Sequence, residues 1–277
     1  MDSTIGRATW RALEPLHSAI YFVPEAGEEY SRVGLTDWMS GYFASRAAPM
    51  GAVTAEVVIA TFYNFDHDLV HRSMRGVWET ASPETVTAAR FAAVDRMFRM
   101  HVLDLVDPSE LARAVALARR GAEAVSARPW GRPLFAGHAG LEWPDEPHLA
   151  LWHAQTLLRE FRGDGHVIAL ASAGLDGCQA LVLHGASGEV PPKALRATRR
   201  RTEADWNGAA DALRSRGWLD SDSELTDAGR IGRAEIEELT DQLAVEPYAA
   251  IGEEGCGELC RIARPWAEAI AGVFPTR

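Results

Sequence analysis

Apolar residues recur at steps of three and four along most of the chain, and this spacing is typical of amphipathic helices. The first apolar stripe begins at Trp10. A later helix is predicted to begin where Ser82 can cap its amino end and Pro83 can occupy its first turn, and another begins in the same way at Asp107. Residues 1–125 are therefore predicted to form a helical domain with little strand.

A break in the helical pattern covers residues 126–148, where four prolines and three glycines interrupt every period. The segment also carries Trp130, Phe135 and Trp143, and a free linker seldom holds so many large aromatic side chains. We expect a covering loop that packs onto the body of the protein. The remaining residues, 149–277, are predicted to hold one more helix, a winged-helix domain and a C-terminal helix.

The stretch "LLREFRGDGH", residues 157–166, lies where a predicted helix from about Leu149 to Arg162 meets a glycine. Gly163 can supply the left-handed residue that ends this helix, and Asp164 can cap the next one. The sequence therefore predicts a corner between two helices at this point.

Residues 175–243 follow the element order of a winged helix. Two short helices precede a longer one, which Thr202 caps and Gly217 ends, and a polar turn, a short apolar element and a long helix starting at "DAG" come next. The predicted fold class is mainly α, with an N-terminal helical domain and a C-terminal winged helix that has a small β-wing.

Two motifs in this stretch, "ALRSRGWLD" and "LTDAGR", match the exits from the recognition helix and from the wing in MarR-type proteins. The stretch therefore resembles the MarR-type winged-helix family, over about a quarter of the chain. The resemblance implies that the helix from Glu203 to Arg216 enters the major groove of DNA and that the wing reaches the backbone. We expect a homodimer.

More of the chain is similar to an actinobacterial family of helix-turn-helix proteins, some of which are encoded among specialised-metabolism genes. The similarity rests on "LEPLHSAIYF", "YFASRAAPMG", "FYNF" and "LWHAQTLLREFRGDGH". It implies a link to bacterial specialised metabolism. The family's pattern "HRGDGH" has histidine where this chain has Phe161, which weakens the case for chemistry that needs an imidazole there.

The distribution of charge bears on DNA binding. The formal net charge of −11 argues against a surface that binds polyanions everywhere. Residues 193–218 carry a local balance of +4, which favours phosphate contact, whereas residues 219–241, which include the expected wing, carry −6 and would repel the DNA backbone. DNA is therefore a possible but disfavoured partner. The candidate DNA-binding residues are Arg199, Arg200, Arg201 and Thr202.

Titratable groups concentrate around the predicted helix corner. His153, Asp164 and His166 are candidate catalytic residues, because histidine and carboxylate can serve as general acid and base. An arginine there could hold a substrate carboxylate or phosphate. The alternative is a solvated corner without chemistry, and the sequence leaves both open.

A second set of polar side chains recurs four residues apart in the first half of the chain. His17 with Tyr21, and Tyr42 with Arg46, could line a polar pocket between helices, or His17 could be a core histidine with satisfied hydrogen bonds. The candidate ligand-binding residues are His17, Tyr21, Tyr42, Arg46, Tyr63, Asn64, Arg159, Glu160 and Arg162.

Several classes of protein are disfavoured. The three cysteines do not form a disulfide framework or a zinc pattern, and no nucleotide-binding fingerprint is present, so we expect no metal and no cofactor. No apolar stretch reaches the length of a membrane span, and a soluble, cytoplasmic protein is expected. The predicted function is a small-molecule-binding winged-helix protein of transcription-regulator ancestry. The alternative is an enzyme of specialised metabolism that needs no redox cofactor.

Overall fold

The computed structural model describes residues 2–272, and α-helices account for most of them. Three short 3-10 helices, Ala19–Tyr21, Ala48–Met50 and Leu103–Leu105, connect or extend α-helices. The α-helices are α1 (Ser3–Ser18), α2 (Pro24–Arg32), α3 (Trp38–Ala47), α4 (Ala55–Phe62), α5 (His67–Met74), α6 (Val77–Thr80), α7 (Pro83–His101), α8 (Pro108–Val125), α9 (Pro133–Ala139), α10 (Pro147–Ser172), α11 (Gly177–Ala186), α12 (Pro192–Arg199), α13 (Glu203–Ser215), α14 (Asp227–Ile251) and α15 (Glu253–Ala271).

Side-chain caps start three of these helices where the sequence predicts. The Ser82 hydroxyl accepts from the backbone N–H of Thr85 at the start of α7, and Asp107 accepts from two backbone N–H groups at the start of α8. Thr202 and Asp205 form a reciprocal capping box at the start of α13. These predictions are confirmed, because each cap depends only on residues close in sequence.

The predicted corner at Gly163 is wrong, since α10 runs unbroken from Pro147 to Ser172. Asp164 does not cap a following helix; its carboxylate accepts instead from the backbone N–H of Phe135. The helix ends at Ser172, nine residues after Gly163, and Gly174, which has a φ of 68°, supplies the left-handed residue.

The predicted covering loop also contains a helix, α9. Phe135 on α9 is fully buried, and its ring meets that of Phe161 edge to face at a centroid distance of 5.1 Å. Trp143 is half-buried against the same cluster, whereas Trp130 is 77% exposed. The prediction that this segment packs onto the protein is therefore confirmed for Phe135 and Trp143 and wrong for Trp130.

The chain divides into two compact units that are discontinuous in sequence. Unit 1 contains residues 1–53, 76–164 and 241–277, and unit 2 contains residues 54–75 and 165–240. Two of the four boundaries fall inside α10 and α14. This division differs from the sequence-based one at residues 125 and 148. In unit 1, α1 and α8 pack against α15, and α7 packs against α2 and α3.

Unit 2 is built on α11, which packs against α12 and α13. Its core includes Leu170, Val182 and Leu213. Gly177 begins α11 against the segment that follows α4: a Cβ at this position would lie 1.9 Å from the carbonyl oxygen of Tyr63, so only glycine fits.

The expected β-wing is reduced to one antiparallel bridge, between Leu219 and Leu225. No strand forms within residues 2–272. The connection is a tight polar turn in which the Asp220 carboxylate accepts from the backbone N–H groups of Asp222 and Glu224. This turn joins Leu219 to Leu225 directly. The predicted small β-wing is therefore corrected to a single bridge.

Candidate ligand-binding site

One buried arginine and two partly buried arginines, each from a different helix of unit 1, surround one tyrosine. Arg46 lies on α3, Arg90 on α7 and Arg159 on α10. Their guanidinium carbons lie 5.5, 5.6 and 5.7 Å from the ring centroid of Tyr21, within the range of cation–π attraction. We call Arg46, Arg90 and Arg159 the arginine cluster.

Two carboxylates pair with two members of the arginine cluster. Glu160 accepts from Arg159 at 2.8 Å and from Arg46 at 3.4 Å, and Glu14 accepts from Arg159 at 3.1 Å. Burial alone would raise the pKa of Glu160, but the charges of Arg159 and Arg46 outweigh it and lower the pKa. Glu160 is therefore ionised, and these pairs compensate much of the cost of burying the charges.

Arg90 has a different environment, although it is only 1% exposed. Its guanidinium donates to the hydroxyls of Tyr21 at 3.3 Å and Ser45 at 3.4 Å, and it lies over the ring of Trp152 at 4.9 Å. No carboxylate in residues 2–272 accepts a hydrogen bond from it, and its Nε has no partner there. Tyr30 also hydrogen-bonds Arg90, and the charge of Arg90 helps to lower the pKa of Glu160, but no hydrogen-bonded carboxylate compensates the cost of burying this guanidinium.

His17 connects the arginine cluster to α10. Its Nε2 bonds the Tyr21 hydroxyl at 2.9 Å and its Nδ1 bonds the Thr156 hydroxyl at 3.1 Å, while its ring stacks on Trp152 at 5.2 Å. Burial and the charges of Arg159 and Arg90 lower its pKa well below the usual value, so the ring is neutral. His17 is thus a buried histidine with both nitrogens satisfied, placed beside the arginine cluster.

Buried polar atoms without partners lie beside this network. Within the described part of the chain, both ring nitrogens of His153, the Nε2 of His138, the Nε1 of Trp152 and both amide atoms of Gln155 lack hydrogen bonds. Burial, and then the charge of Arg90, lowers the pKa of His138 well below its ordinary value. Burial and Arg119 lower the pKa of His153 to about 4, so both rings are neutral.

The three candidate catalytic residues have different surroundings. The fully buried ring of His153 meets Trp143 at 4.9 Å and Phe91 at 6.0 Å, both measured between ring centroids. Asp164 accepts from the N–H of Phe135, and burial raises its pKa to about 7.

His166 belongs to unit 2, where its Nδ1 bonds the Thr240 hydroxyl at 3.0 Å.

The candidate ligand-binding residues separate into two groups. The arginine cluster and its partners include His17, Tyr21, Tyr42, Arg46, Arg159 and Glu160. Arg162 lies elsewhere in unit 1, where it donates to Asp241 at 2.7 Å and covers the ring of Trp10.

Tyr63 and Asn64 belong to unit 2, where each takes part in a hydrogen bond to a backbone carbonyl oxygen. The Tyr63 hydroxyl donates to the carbonyl oxygen of Leu175, and the carbonyl oxygen of Asn64 accepts from Arg201.

The candidate DNA-binding residues do not form one exposed basic face. Arg199 lies over the ring of Phe65 at 4.9 Å, and Arg201 donates to the Asn64 carbonyl at 3.1 Å. Arg200 alone of the triplet is exposed, with a φ of 56°, and Thr202 is a helix cap. The exposed side of α13 carries the acidic residues Glu203, Asp205 and Asp211.

Sequence reasoning missed Arg90, Trp152, His138 and Ser45. A usable signal existed for Arg90, because "AARFAAV" places one arginine inside an otherwise apolar helical face. Ser45, His138 and Trp152 carry no comparable signal, since they reach the site only through tertiary packing.

The structure offers no evidence for a metal site or a membrane span within residues 2–272. No group of three or more His, Cys, Asp or Glu side chains is arranged there to hold a metal ion. No single helix there has both the length and the apolar character to cross a membrane; α10 with α11, a pair bent by 98°, meets the length and composition criteria only jointly.

Comparison with known proteins establishes the family. A sequence model of a helix-turn-helix family matches residues 6–275, and the chain belongs to that family. No curated protein and no solved structure matches the chain. Membership indicates an ancestry shared with DNA-binding regulators.

Proposed function

We propose that this protein binds a small anionic molecule at the arginine cluster of unit 1. The observation that carries the proposal is Arg90, a fully buried guanidinium to which no carboxylate of residues 2–272 is hydrogen-bonded. A bound anion would supply the hydrogen-bonded counter-charge that this guanidinium lacks. The planar fork of arginine matches a carboxylate or a phosphate.

The unpartnered polar atoms beside the cluster support the same proposal. Each buried group without a hydrogen bond costs about 1–3 kcal/mol, so several of them in one region form an expensive arrangement for a purely structural core. His138, Trp152 and His153 can instead supply the hydrogen bonds that orient a ligand.

For unit 2 we propose a MarR-like winged helix whose wing has shrunk to the Leu219–Leu225 bridge. The order of α11, α12, α13, bridge and α14 supports this assignment. The acidic face of α13 disfavours the groove of DNA, so we propose that sequence-specific DNA binding is not the main activity. A homodimer and a role in bacterial specialised metabolism complete the proposal.

A cytoplasmic location is part of the proposal as well. Cys178, Cys256 and Cys260 are all free thiols, as is usual in a reducing compartment.

An enzyme that uses His153, Asp164 and His166 is the less favoured alternative. Such an enzyme needs the three side chains around one substrate, whereas Asp164 is engaged with α9 and His166 with Thr240. An enzymatic role would more readily use the neutral His138 and His153.

Isothermal titration calorimetry with benzoate and with inorganic phosphate tests the proposed function. The wild-type protein and Arg90→Met should differ, with at least one anion binding the wild type and neither binding the variant. Arg99→Met is the matched control, because Arg99 lies on the same helix but is exposed and pairs with Asp95. Equal binding by all three proteins would refute the proposal, and so would the absence of binding by all of them to benzoate, to its hydroxylated analogues and to phosphate.

A further inference from the structure

A continuous series of ring contacts leads from the arginine cluster to His153. Arg90 covers Trp152, whose ring meets Phe91 edge to face at 5.8 Å. Phe91 also faces His153 at 6.0 Å, and Trp143 closes the other side of His153 at 4.9 Å. A buried cation therefore stands at one end of an aromatic surface and a buried imidazole at the other.

The chemistry of His153 specifies what it lacks. A neutral imidazole carries one donor nitrogen and one acceptor nitrogen, and neither has a partner in the described residues. A hydroxyl group both donates and accepts, so it can bond either nitrogen whichever tautomer is present. The indole of Trp143 and the phenyl ring of Phe91 contact the imidazole itself, so its surroundings are aromatic and favour a planar ring that carries this hydroxyl.

Charge at the other end distinguishes between anions. The three guanidiniums of the arginine cluster face the two carboxylates Glu14 and Glu160, which leaves one positive charge. One carboxylate neutralises that charge, whereas a phosphate with its second charge would leave an excess buried negative charge.

We infer that the ligand is an aryl carboxylic acid with a hydroxyl group remote from its carboxylate, which binds with the carboxylate on Arg90 and the hydroxyl on His153. The inference rests on the proposed function and specifies its ligand class. His153 is thus a specificity-determining residue.

Calorimetric titrations of matched acids test the inference. The probes are 4-hydroxybenzoate, 4-hydroxyphenylacetate and 3-(4-hydroxyphenyl)propanoate, each paired with the acid that lacks the hydroxyl, and inorganic phosphate. The wild type should prefer at least one hydroxylated acid by about tenfold or more over its partner, the value of one buried hydrogen bond. Phosphate should bind more weakly than that acid.

Two variants of His153 test whether this residue is the source of the preference for the hydroxylated acid. His153→Phe should bind both acids of the pair equally, because phenylalanine keeps the ring contacts but cannot hydrogen-bond. His153→Gln should recover part of the preference, since the amide both donates and accepts. Thermal unfolding of each variant verifies that it is folded before titration.

The outcomes separate the two proposals. Arg90-dependent binding without a hydroxyl preference, a preference that survives in His153→Phe, or tighter binding of phosphate would overturn the inference and leave the anion site in place. The absence of any Arg90-dependent binding among all probes would remove the proposed function and the inference together.

Discussion

The guanidinium carbon of Arg90 lies 4.9 Å from the ring centroid of Trp152, and the hydrogen bonds of that guanidinium end on hydroxyl oxygens. Its neighbours Arg46 and Arg159 share the carboxylate of Glu160, and Arg159 also bonds Glu14, so paired arginines lie beside one that has no hydrogen-bonded carboxylate. A buried charge without a hydrogen-bonded counter-ion is typical of a site that trades stability for binding.

Removal of the Arg90 charge is therefore expected to stabilise the ligand-free protein. Arg90→Met should raise the free energy of unfolding by about 1–3 kcal/mol, because a hydrophobic side chain of similar length removes an uncompensated buried charge. Tyr21 keeps its bond to His17, so no hydroxyl is stranded there. Urea unfolding of the ligand-free protein measures the effect. A variant less stable than the wild type would mean that Arg90 is a structural residue.

Substitution of Glu160 is expected to destabilise the protein, in contrast to substitution of Arg90. Glu160→Gln leaves two guanidiniums facing one half-buried carboxylate, and should lower the free energy of unfolding by about 3 kcal/mol or more. Glu258→Gln is the control, because its partner Arg113 is exposed and such a pair contributes at most about 1 kcal/mol. Similar losses in the free energy of unfolding of both variants would contradict the larger contribution expected of the buried ion pairs.

Asp164 predicts a pH dependence of stability. Its pKa is raised from 3.8 to about 7, so the folded state holds a proton that the unfolded state releases. The stabilising contribution is therefore fully present below pH 3.8 and is lost as the pH rises through 7.

Asp164→Asn keeps an acceptor for the N–H of Phe135 and removes the titration. It should be more stable than the wild type at about pH 8, and the difference should shrink towards about pH 4, with about 1.4 kcal/mol for each unit of pKa shift. Urea unfolding across this range is the measurement. A difference independent of pH would contradict the buried environment of Asp164.

The arginine triplet before α13 should not behave as a unit. Arg200→Ala removes an exposed side chain and should change stability by less than about 0.5 kcal/mol. Arg201→Ala strands the carbonyl oxygen of Asn64 and should cost about 1–2 kcal/mol. Thermal unfolding of both variants measures these changes in stability, and equal changes would contradict the placement of Arg201.

Local patterns explain which parts of the fold were predictable. The caps at Ser82, Asp107 and Thr202 are formed by residues within three positions, so the sequence alone indicates them. The corner at Gly163 failed for a tertiary reason. The carboxylate of Asp164 is used by α9, and Ala169 continues the apolar face of α10 into a core.

The candidate site was predictable to the same extent. The pairs His17 with Tyr21 and Tyr42 with Arg46 lie four residues apart on their helices, and both pairs are hydrogen-bonded. Arg90 reaches them from a separate helix, and its missing counter-charge is visible only once the helices are packed. The sequence therefore indicated these two polar pairs but could not identify the cation that lies beside them.

Native mass spectrometry of the protein isolated from its own cells and then incubated with the hydroxylated acids tests the central claim most directly. The wild type and Arg99→Met should each retain the mass of one aryl acid, and Arg90→Met should carry none. Retention of the same mass by Arg90→Met, or no retained mass in any of the three proteins, would contradict an anion site at Arg90.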